Sequence, residues 1–346
     1  VALSAVVATS SLALPAHAAT GVYGKADPTY DAVFRQSLAI LGIEAVGAPQ
    51  QPAAVTWLLK QQCPDGSFQA YRAHPELPCD PVDAAKATGP DTNSTAVALS
   101  ALMSLDNMSN VDAHLISRPL LNKVVSAAGR AGLWLTHAQL SSGGWPYFAG
   151  SKADANSTGL VLTALRTQLP QAKNTVLSRG EQFLTTLQSP CSGSSAGALA
   201  YQAGSKPDGS ATTQGLLGLT GIVPVSPVGK YRPVPSCAGR AATRAQSWVA
   251  QQLLTAGKLT SAMNPAGDDQ STATAILDLV SGSVAKSAVA RGLATLQRDA
   301  AEYTVNAGVE RPASLGMLLL VAHATGSSAT NFGGINLLAT LKSTLQ

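Results

Sequence analysis

The sequence predicts an all-α fold, an α6/α6 toroid of six helical hairpins, and three observations predict it. The first is a recurring helix start: Asp91-Thr92-Asn93-Ser94-Thr95-Ala96 returns as Asp154-Ala155-Asn156-Ser157-Thr158-Gly159, as Asp208-Gly209-Ser210-Ala211-Thr212-Thr213 and as Asp268-Asp269-Gln270-Ser271-Thr272-Ala273. The copies lie roughly 60 residues apart and each opens an apolar run at helical spacing, which fits a repeating helix pair. The second is a turn, Gln62-Cys63-Pro64-Asp65-Gly66-Ser67-Phe68, matched by Gln139-Leu140-Ser141-Ser142-Gly143-Gly144-Trp145, with degenerate copies from Gln188 and from Gln252, the latter reaching Gly257 and Leu259. The third is an alternation of helix types. Stretches such as Ala96 to Leu102 are small and apolar throughout, which suits burial on most sides, whereas Arg240 to Gln246 mixes Arg and Gln with Ala, which suits an outer helix wet on one face. Six inner and six outer helices close into a toroid; the alternative, an open solenoid, would leave two apolar end faces to be capped.

In chain order, Tyr30 to Leu41 reads as the first helix, carrying Val33, Leu38 and Leu41, with Gly42 and Gly47 breaking the pattern. Gln51 to Gln62 follows, with Val55, Trp57, Leu58 and Leu59, and Cys63 to Pro90 is a long connection rich in Pro, Asp and Gly. The Asp91 motif opens a helix ending near Leu105. Helices are then expected over Leu120–Gln139, Ser157–Leu169, Asn174–Gln188, Ala211–Ile222, Arg240–Leu254, Ser271–Ser281, Val284–Arg298, Pro312–Ala324 and Asn331–Leu345. No Val/Ile/Thr alternation of strand length interrupts them, so no sheet is expected. In each motif copy the Asp, Asn, Ser and Thr side chains can accept from the free N–H groups of a helix's first turn, so the structural reading is an N-cap. If the four helices point the same way in a ring, four acidic, hydroxyl-rich first turns face one mouth. In the turn, the Gln can bond backbone groups, Gly stops the helix, and the aromatic folds back as a plug between hairpins.

At 346 residues, 45% hydrophobic and 12% charged, the chain can bury a large core. Its 23 basic and 19 acidic side chains give +4 without a Lys/Arg run or an aromatic-basic patch, which argues against nucleic-acid partners. Residues 1–18 form an uncharged apolar segment ending Ala16-His17-Ala18, which fits a secretory signal and its cleavage site. The mature chain is therefore expected to begin at Ala19 and to be secreted, with residues 19–29 as a lead-in, a single toroid domain over residues 30–346, and the true start upstream of Val1. No later stretch reaches the roughly 18 apolar residues of a membrane span. Cys63, Cys79, Cys191 and Cys237 are an even number in an exported chain and suggest two disulfides. Cys63 and Cys79 share one inter-helix segment and are expected to pair; Cys191 and Cys237 follow by elimination, the Pro-rich Val223 to Ser236 segment being long enough to climb back along the helix between them. Free thiols or zinc ligands are the alternatives, though no Cys-x2-Cys or Cys/His cluster exists to support a metal.

The Gln-x3-Gly-x-aromatic turn and the Asp-x-x-Ser-Thr-Ala helix start together resemble the repeats of the terpenoid cyclase and protein prenyltransferase superfamily. That superfamily also includes the cobalamin-binding transcobalamin and intrinsic-factor barrels and the thioester domains of complement. The resemblance covers nearly all of the chain after Tyr30 and implies an α6/α6 toroid whose inner-helix N-termini surround the ligand cavity. Each branch implies different residues. Squalene-hopene-type cyclases protonate a polyene with an Asp-x-Asp-Asp-Thr-Ala motif, where this chain has Asp268-Asp269-Gln270-Ser271-Thr272-Ala273; a carboxyl pair there could act as an acid, but the spacing departs and the chain is only 5% aromatic. Prenyltransferases hold zinc, and none of His17, His74, His114, His137 and His323 is spaced with Cys as a ligand set. Thioester domains carry Cys-Gly-Glu-Gln, against Arg179-Gly180-Glu181-Gln182 here, without the Cys.

The binding branch remains. The expectation is therefore an exported, non-catalytic protein, more readily no enzyme than an enzyme, that holds a bulky, partly apolar, isoprenoid- or corrinoid-like ligand at the mouth without cofactor or metal. Asp91, Asn93, Thr95, Asp154, Asn156, Thr158, Asp208, Thr212, Asp268 and Asp269 would supply polar contacts, and Tyr71, Trp145, Tyr147 and Tyr201 an apolar rim. The alternatives are a protein-interaction module with a filled barrel, and a class II terpene-cyclase-like enzyme using Asp268 and Asp269 as its acid. Under the binding reading both carboxyl groups serve as ionised caps.

Overall fold

The structure is a computed structural model and describes residues 21–109, 116–169, 174–221 and 223–346; the expected leader and its cleavage site lie outside the described residues. Helices come in pairs. α1 (Ala32–Ala45) is followed by α2 (Pro52–Lys60), α3 (Thr92–Ser109) by α4 (Arg118–His137), α5 (Ala155–Leu165) by α6 (Thr175–Thr186), α7 (Gly209–Thr220) by α8 (Ala241–Ala256), and α9 (Asp269–Ser281) by α10 (Lys286–Thr304). A hairpin of β1 (Val305–Asn306) and β2 (Val309–Glu310) then leads to α11 (Pro312–Thr325) and α12 (Leu337–Ser343). The hairpin corrects the expectation of no sheet. Its turn, Ala307-Gly308, has φ of 48° and 76°, the two positive values of a tight two-residue connection, and two residues per strand are too few to show an alternation.

The odd-numbered helices pack side by side in chain order, and α11 returns to α1, so the inner ring is closed. Each even-numbered helix lies outside its partner. Burial follows the two helix types: α11 buries all but a few of its residues, whereas α10 buries one face, with Ala288, Val289, Gly292 and Leu296. The all-α toroid expected from the repeat is thus the fold.

Two seams of the inner ring are tighter than the rest. At one, a Cβ on Gly42 would lie 2.5 Å from the Gly316 carbonyl oxygen; at the other, a Cβ on Gly218 would lie 2.6 Å from Gly159 Cα. These seams, α11/α1 and α5/α7, sit opposite each other in the ring order. Gly42 therefore does not end α1, as the sequence suggested; it lets α11 approach, and the helix runs on to Ala45.

The hairpins are joined by repeated polar ties. The Thr of each helix start accepts the N–H of the plug residue: Thr95 Oγ1 from Phe68 at 2.9 Å, Thr158 from Trp145 at 3.0 Å, Thr212 from Leu199 at 2.9 Å and Thr272 from Leu259 at 2.9 Å. The Gln of the turn donates twice, once within its own turn and once to the next outer helix or its start. Gln62 Nε2 reaches the Gly66 and Ala127 carbonyls, Gln139 those of Gly143 and Val176, and Gln188 those of Gly197 and Ala241. Cys63 bonds Cys79, and Cys191 bonds Cys237. Among the described residues no helix is long and apolar enough to cross a membrane, and no group of three His, Cys, Asp or Glu is placed to hold a metal ion.

Candidate functional site

The four motif aspartates stand at one end of the ring and cap their helices. Asp91 Oδ1 accepts the Ser94 N–H at 2.7 Å, Asp154 the Ser157 N–H at 2.8 Å, Asp208 the Ala211 N–H at 3.1 Å and Asp268 the Ser271 N–H at 2.9 Å. Each satisfies a donor that the first helical turn leaves free. The loop of the following hairpin then covers the helix start: the Tyr147 carbonyl accepts from Thr92 N–H, the Tyr201 carbonyl from Ala155 N–H, and Ala262 N–H donates to Asp208 Oδ2 at 2.6 Å. This cover removes Asp91 from water, and burial pushes its carboxyl up to about 7, against the bonds from Ser94 and the Asn93 N–H that favour the charged form. Burial also raises Asp154, opposed by Ser157 and by a bond from the Tyr201 hydroxyl. Tyr147 is pushed up to about 12, first by burial and then by the nearby charge of Asp91 and the neighbouring Tyr30 and Tyr201.

Below this rim the inner helices enclose an apolar cavity of about 60 Å³. All six contribute, among them Phe34 and Leu38 of α1, Val97 of α3, Leu160 of α5, Gln214 of α7, Gln270, Thr274 and Leu277 of α9, and Met317 of α11; Val223 lies against it as well. Gln270, in the first turn of α9, is its lining residue nearest that helix's capped start, and its Oε1 also accepts the buried Tyr303 hydroxyl at 2.5 Å. Its sequence neighbour Asp269 is half-buried, and its carboxyl is raised first by burial and next by the Asp299 carboxylate, with Lys258 pulling the other way.

The expected site residues therefore divide. Tyr147 and Tyr201 are on the rim, 38% and 41% exposed, and Asn93 and Asn156 are half-buried in the first turns, where Asn156 Nδ2 reaches Ser210 Oγ at 3.5 Å and its Oδ1 has no partner among the described residues. Asp91, Asp154 and Asp268 are present as buried caps, Asp208 as a partly exposed one. Thr95, Thr158 and Thr212 are turned to the plug residues and leave the mouth. Trp145 is not rim but interior: it is fully buried and its indole N–H donates to the Leu135 carbonyl at 2.7 Å. Tyr71 stacks on Trp57 of α2, ring centroids 6.4 Å apart. Sequence reasoning missed Gln214, Gln270, Met317 and Tyr303; the spacing of Gln270, Thr274 and Leu277 is helical, but spacing alone does not say which helix face looks into the ring.

No family model and no curated protein matches the chain. Solved structures do. A crystal structure of a protein from Actinoplanes superposes with a TM-score of 0.50 at 15% identity, covering 87% of this chain and 91% of that one. A type II terpene cyclase from Scytonema, in complex with geranylgeranyl dihydroxybenzoate as substrate, gives 0.49 at 13%, covering 94% and 93%. A wild-type glycosidase gives 0.48 at 16%, covering 88% and 91%. The likeness is one of fold, the α/α toroid. The expectation of a non-catalytic binding protein, and of no enzyme, is corrected by these neighbours, since those with a stated activity are terpene cyclases and glycosidases.

Proposed function

We propose that the chain is a Brønsted-acid enzyme in which Asp269 protonates an alkene of an isoprenoid-class substrate whose chain end enters the ring. The observation that carries this reading is a half-buried carboxyl of raised pKa one residue from Gln270, the cavity-lining residue nearest the capped start of α9. A carboxyl raised from its ordinary value, one residue along α9 from a cavity-lining side chain and backed by a second carboxylate, has the makings of a general acid. Asp268 is the positioning partner: its carboxylate is committed to the Ser271 N–H and fixes the start of α9. A cavity of about 60 Å³ is far below the roughly 300–1,000 Å³ of sites that engulf their ligands. The proposed reaction is accordingly protonation of a terminal alkene carbon by the Asp269 carboxyl, after which the carboxylate takes back a proton either from the carbon next to the cation, giving an alkene, or from a water that has added to it, giving an alcohol, without polycyclisation. The two disulfides and the signal-like residues 1–18 support an exported protein with one toroid domain over residues 30–346.

The test is incubation with linear polyenes in heavy water, with products read by mass spectrometry. Deuterium uptake is expected, falling about 10²–10⁴-fold in Asp269→Asn. Uptake that persists in that variant, or polyenes recovered without label from folded wild-type protein, would overturn the reading.

A further inference from the structure

Two adjacent mouth loops repeat a surface sequence that the fold does not require. Tyr147-Phe148-Ala149-Gly150-Ser151-Lys152-Ala153-Asp154 and Tyr201-Gln202-Ala203-Gly204-Ser205-Lys206-Pro207-Asp208 share Tyr-x-Ala-Gly-Ser-Lys-x-Asp. The fold accounts for the Gly, at φ of 85° and 83°, and for the Asp, which caps the next helix. It gives Tyr201 one role, a hydroxyl bond to the Asp154 cap, but it does not account for the Lys. In the other two copies the residue two places after the plug is Ala70 or Ser261, and the residue two places before the cap is Gly89 or Ala266. Tyr147 and Tyr201 are nonetheless partly exposed, and Lys152 and Lys206 are exposed and form no ion pair among the described residues.

A third loop extends the patch. Ala262 binds the Asp208 cap, and the next residue, Met263, is 90% exposed. Gln202 Nε2 reaches the Lys152 carbonyl at 3.5 Å, which ties the first two loops to each other. Between plug and cap these three loops contain no Asp or Glu. The surface is therefore apolar and cationic at once, and it surrounds one side of the mouth.

We propose that this patch docks the protein on an anionic lipid bilayer with the mouth facing the membrane. Tyrosine suits the headgroup level, where one end of the ring is apolar and the other wet. Lysine suits lipid phosphates, each contributing about fivefold in affinity near such a surface. A soluble anionic polymer would use the Tyr and Lys but leave Met263 without a partner, and the bilayer gives all three a role. The docking does not depend on the acid chemistry proposed above, although a bilayer-dissolved substrate would meet the ring at this face.

The experiment is co-sedimentation of the whole protein with phosphatidylglycerol-containing vesicles and with pure phosphatidylcholine vesicles, at low and high salt. Binding to the anionic vesicles alone is expected, weakened by salt and lowered about fivefold by each of Lys152→Gln and Lys206→Gln. Met263→Trp, at a position exposed enough to leave folding untouched, is expected to shift its emission to the blue and to be quenched by brominated lipid. Asp269→Asn should bind vesicles as the wild type does, which separates this result from the catalytic one. The absence of anionic-vesicle binding, binding indifferent to both lysines, or an unquenched indole in the Met263→Trp variant alongside equal binding to a soluble polyanion would each overturn the proposal.

Discussion

Replacing Asp91 by Asn should stabilise the protein, and by an amount that grows with pH. Asn keeps the cap, because its Oδ1 can accept the Ser94 N–H that Asp91 accepts at 2.7 Å. What it removes is the cost of ionising a carboxyl that is only 1% exposed. Burial moves this group from 3.8 to about 7, and at about 1.4 kcal/mol per unit the cost of the buried charge is about 4 kcal/mol. The helix N-terminus returns only about 0.3–1 kcal/mol to a negative charge, so burial wins. The sign is that of an acid raised on folding: its contribution is fully present below the unfolded value of 3.8 and is lost as pH rises through 7. Asp91→Asn should therefore match the wild type near pH 4, gain steadily above it, and level off about 4 kcal/mol ahead beyond pH 7. Urea titrations across that range measure it. Glu44, pushed up to about 7 by burial against one bond from Gln50, and the fully buried Asp278, whose two carboxyl oxygens have no partner among the described residues, tilt the parent curve the same way and remain in both proteins. A gain that does not grow with pH would refute the reasoning.

Three further outcomes follow from the repeat. Thr158→Val strands the buried Trp145 N–H and should cost about 1–3 kcal/mol, with Thr272→Val costing a similar amount through Leu259; thermal unfolding compares the two. Gly218→Ala, which drives a Cβ to 2.6 Å from Gly159 Cα, should cost about 1–3 kcal/mol, while Gly129→Ala, on α4 with open space around it, should gain up to about 1 kcal/mol. Opening the Cys63–Cys79 and Cys191–Cys237 bridges, with sequence separations of 16 and 46, should cost about 3 and about 4 kcal/mol respectively, read from Cys→Ser pairs in denaturant.

The ring was legible in the sequence because its determinants are local and repeated. The aspartate caps, the Gln ties and the two helix types each recur, and repetition separates a signal from chance. The disulfides were legible because only four cysteines exist and two share a segment. Other features were not legible, for physical reasons. α11 is apolar on nearly every face, so nothing in its pattern says that Met317 looks inward. Gly42 reads as a helix breaker until Gly316, about 270 residues away, is known to lie against it. The threonines were assigned to the mouth because a hydroxyl in a first turn can face either way; only the plug N–H groups, brought there by the preceding turn, decide it. The expected rim suffered in the same way, since Trp145 and Tyr147 are two residues apart yet one is fully buried and the other wet.

The seam between α11 and α1 differs from the other five in what it demands of the folding chain. Five seams join helices from neighbouring hairpins, so each can form as its hairpin does. The sixth joins the first hairpin to the last, and there Gly21 N–H donates to the Gln346 carbonyl at 2.5 Å, Gln346 N–H donates to the Val22 carbonyl at 2.9 Å, and Tyr23 bridges Leu345. Closing a loop about five times longer adds only about 1.4 kcal/mol of chain entropy, so at equilibrium the last seam is scarcely dearer than the others. In time it is very different. An arc of five hairpins formed before α11 docks would carry two bare apolar edges, the kind of surface through which a long chain is caught by its neighbours. For such an arc the rate of ring closure, more than the depth of the final well, would set how much of the newly made protein escapes aggregation.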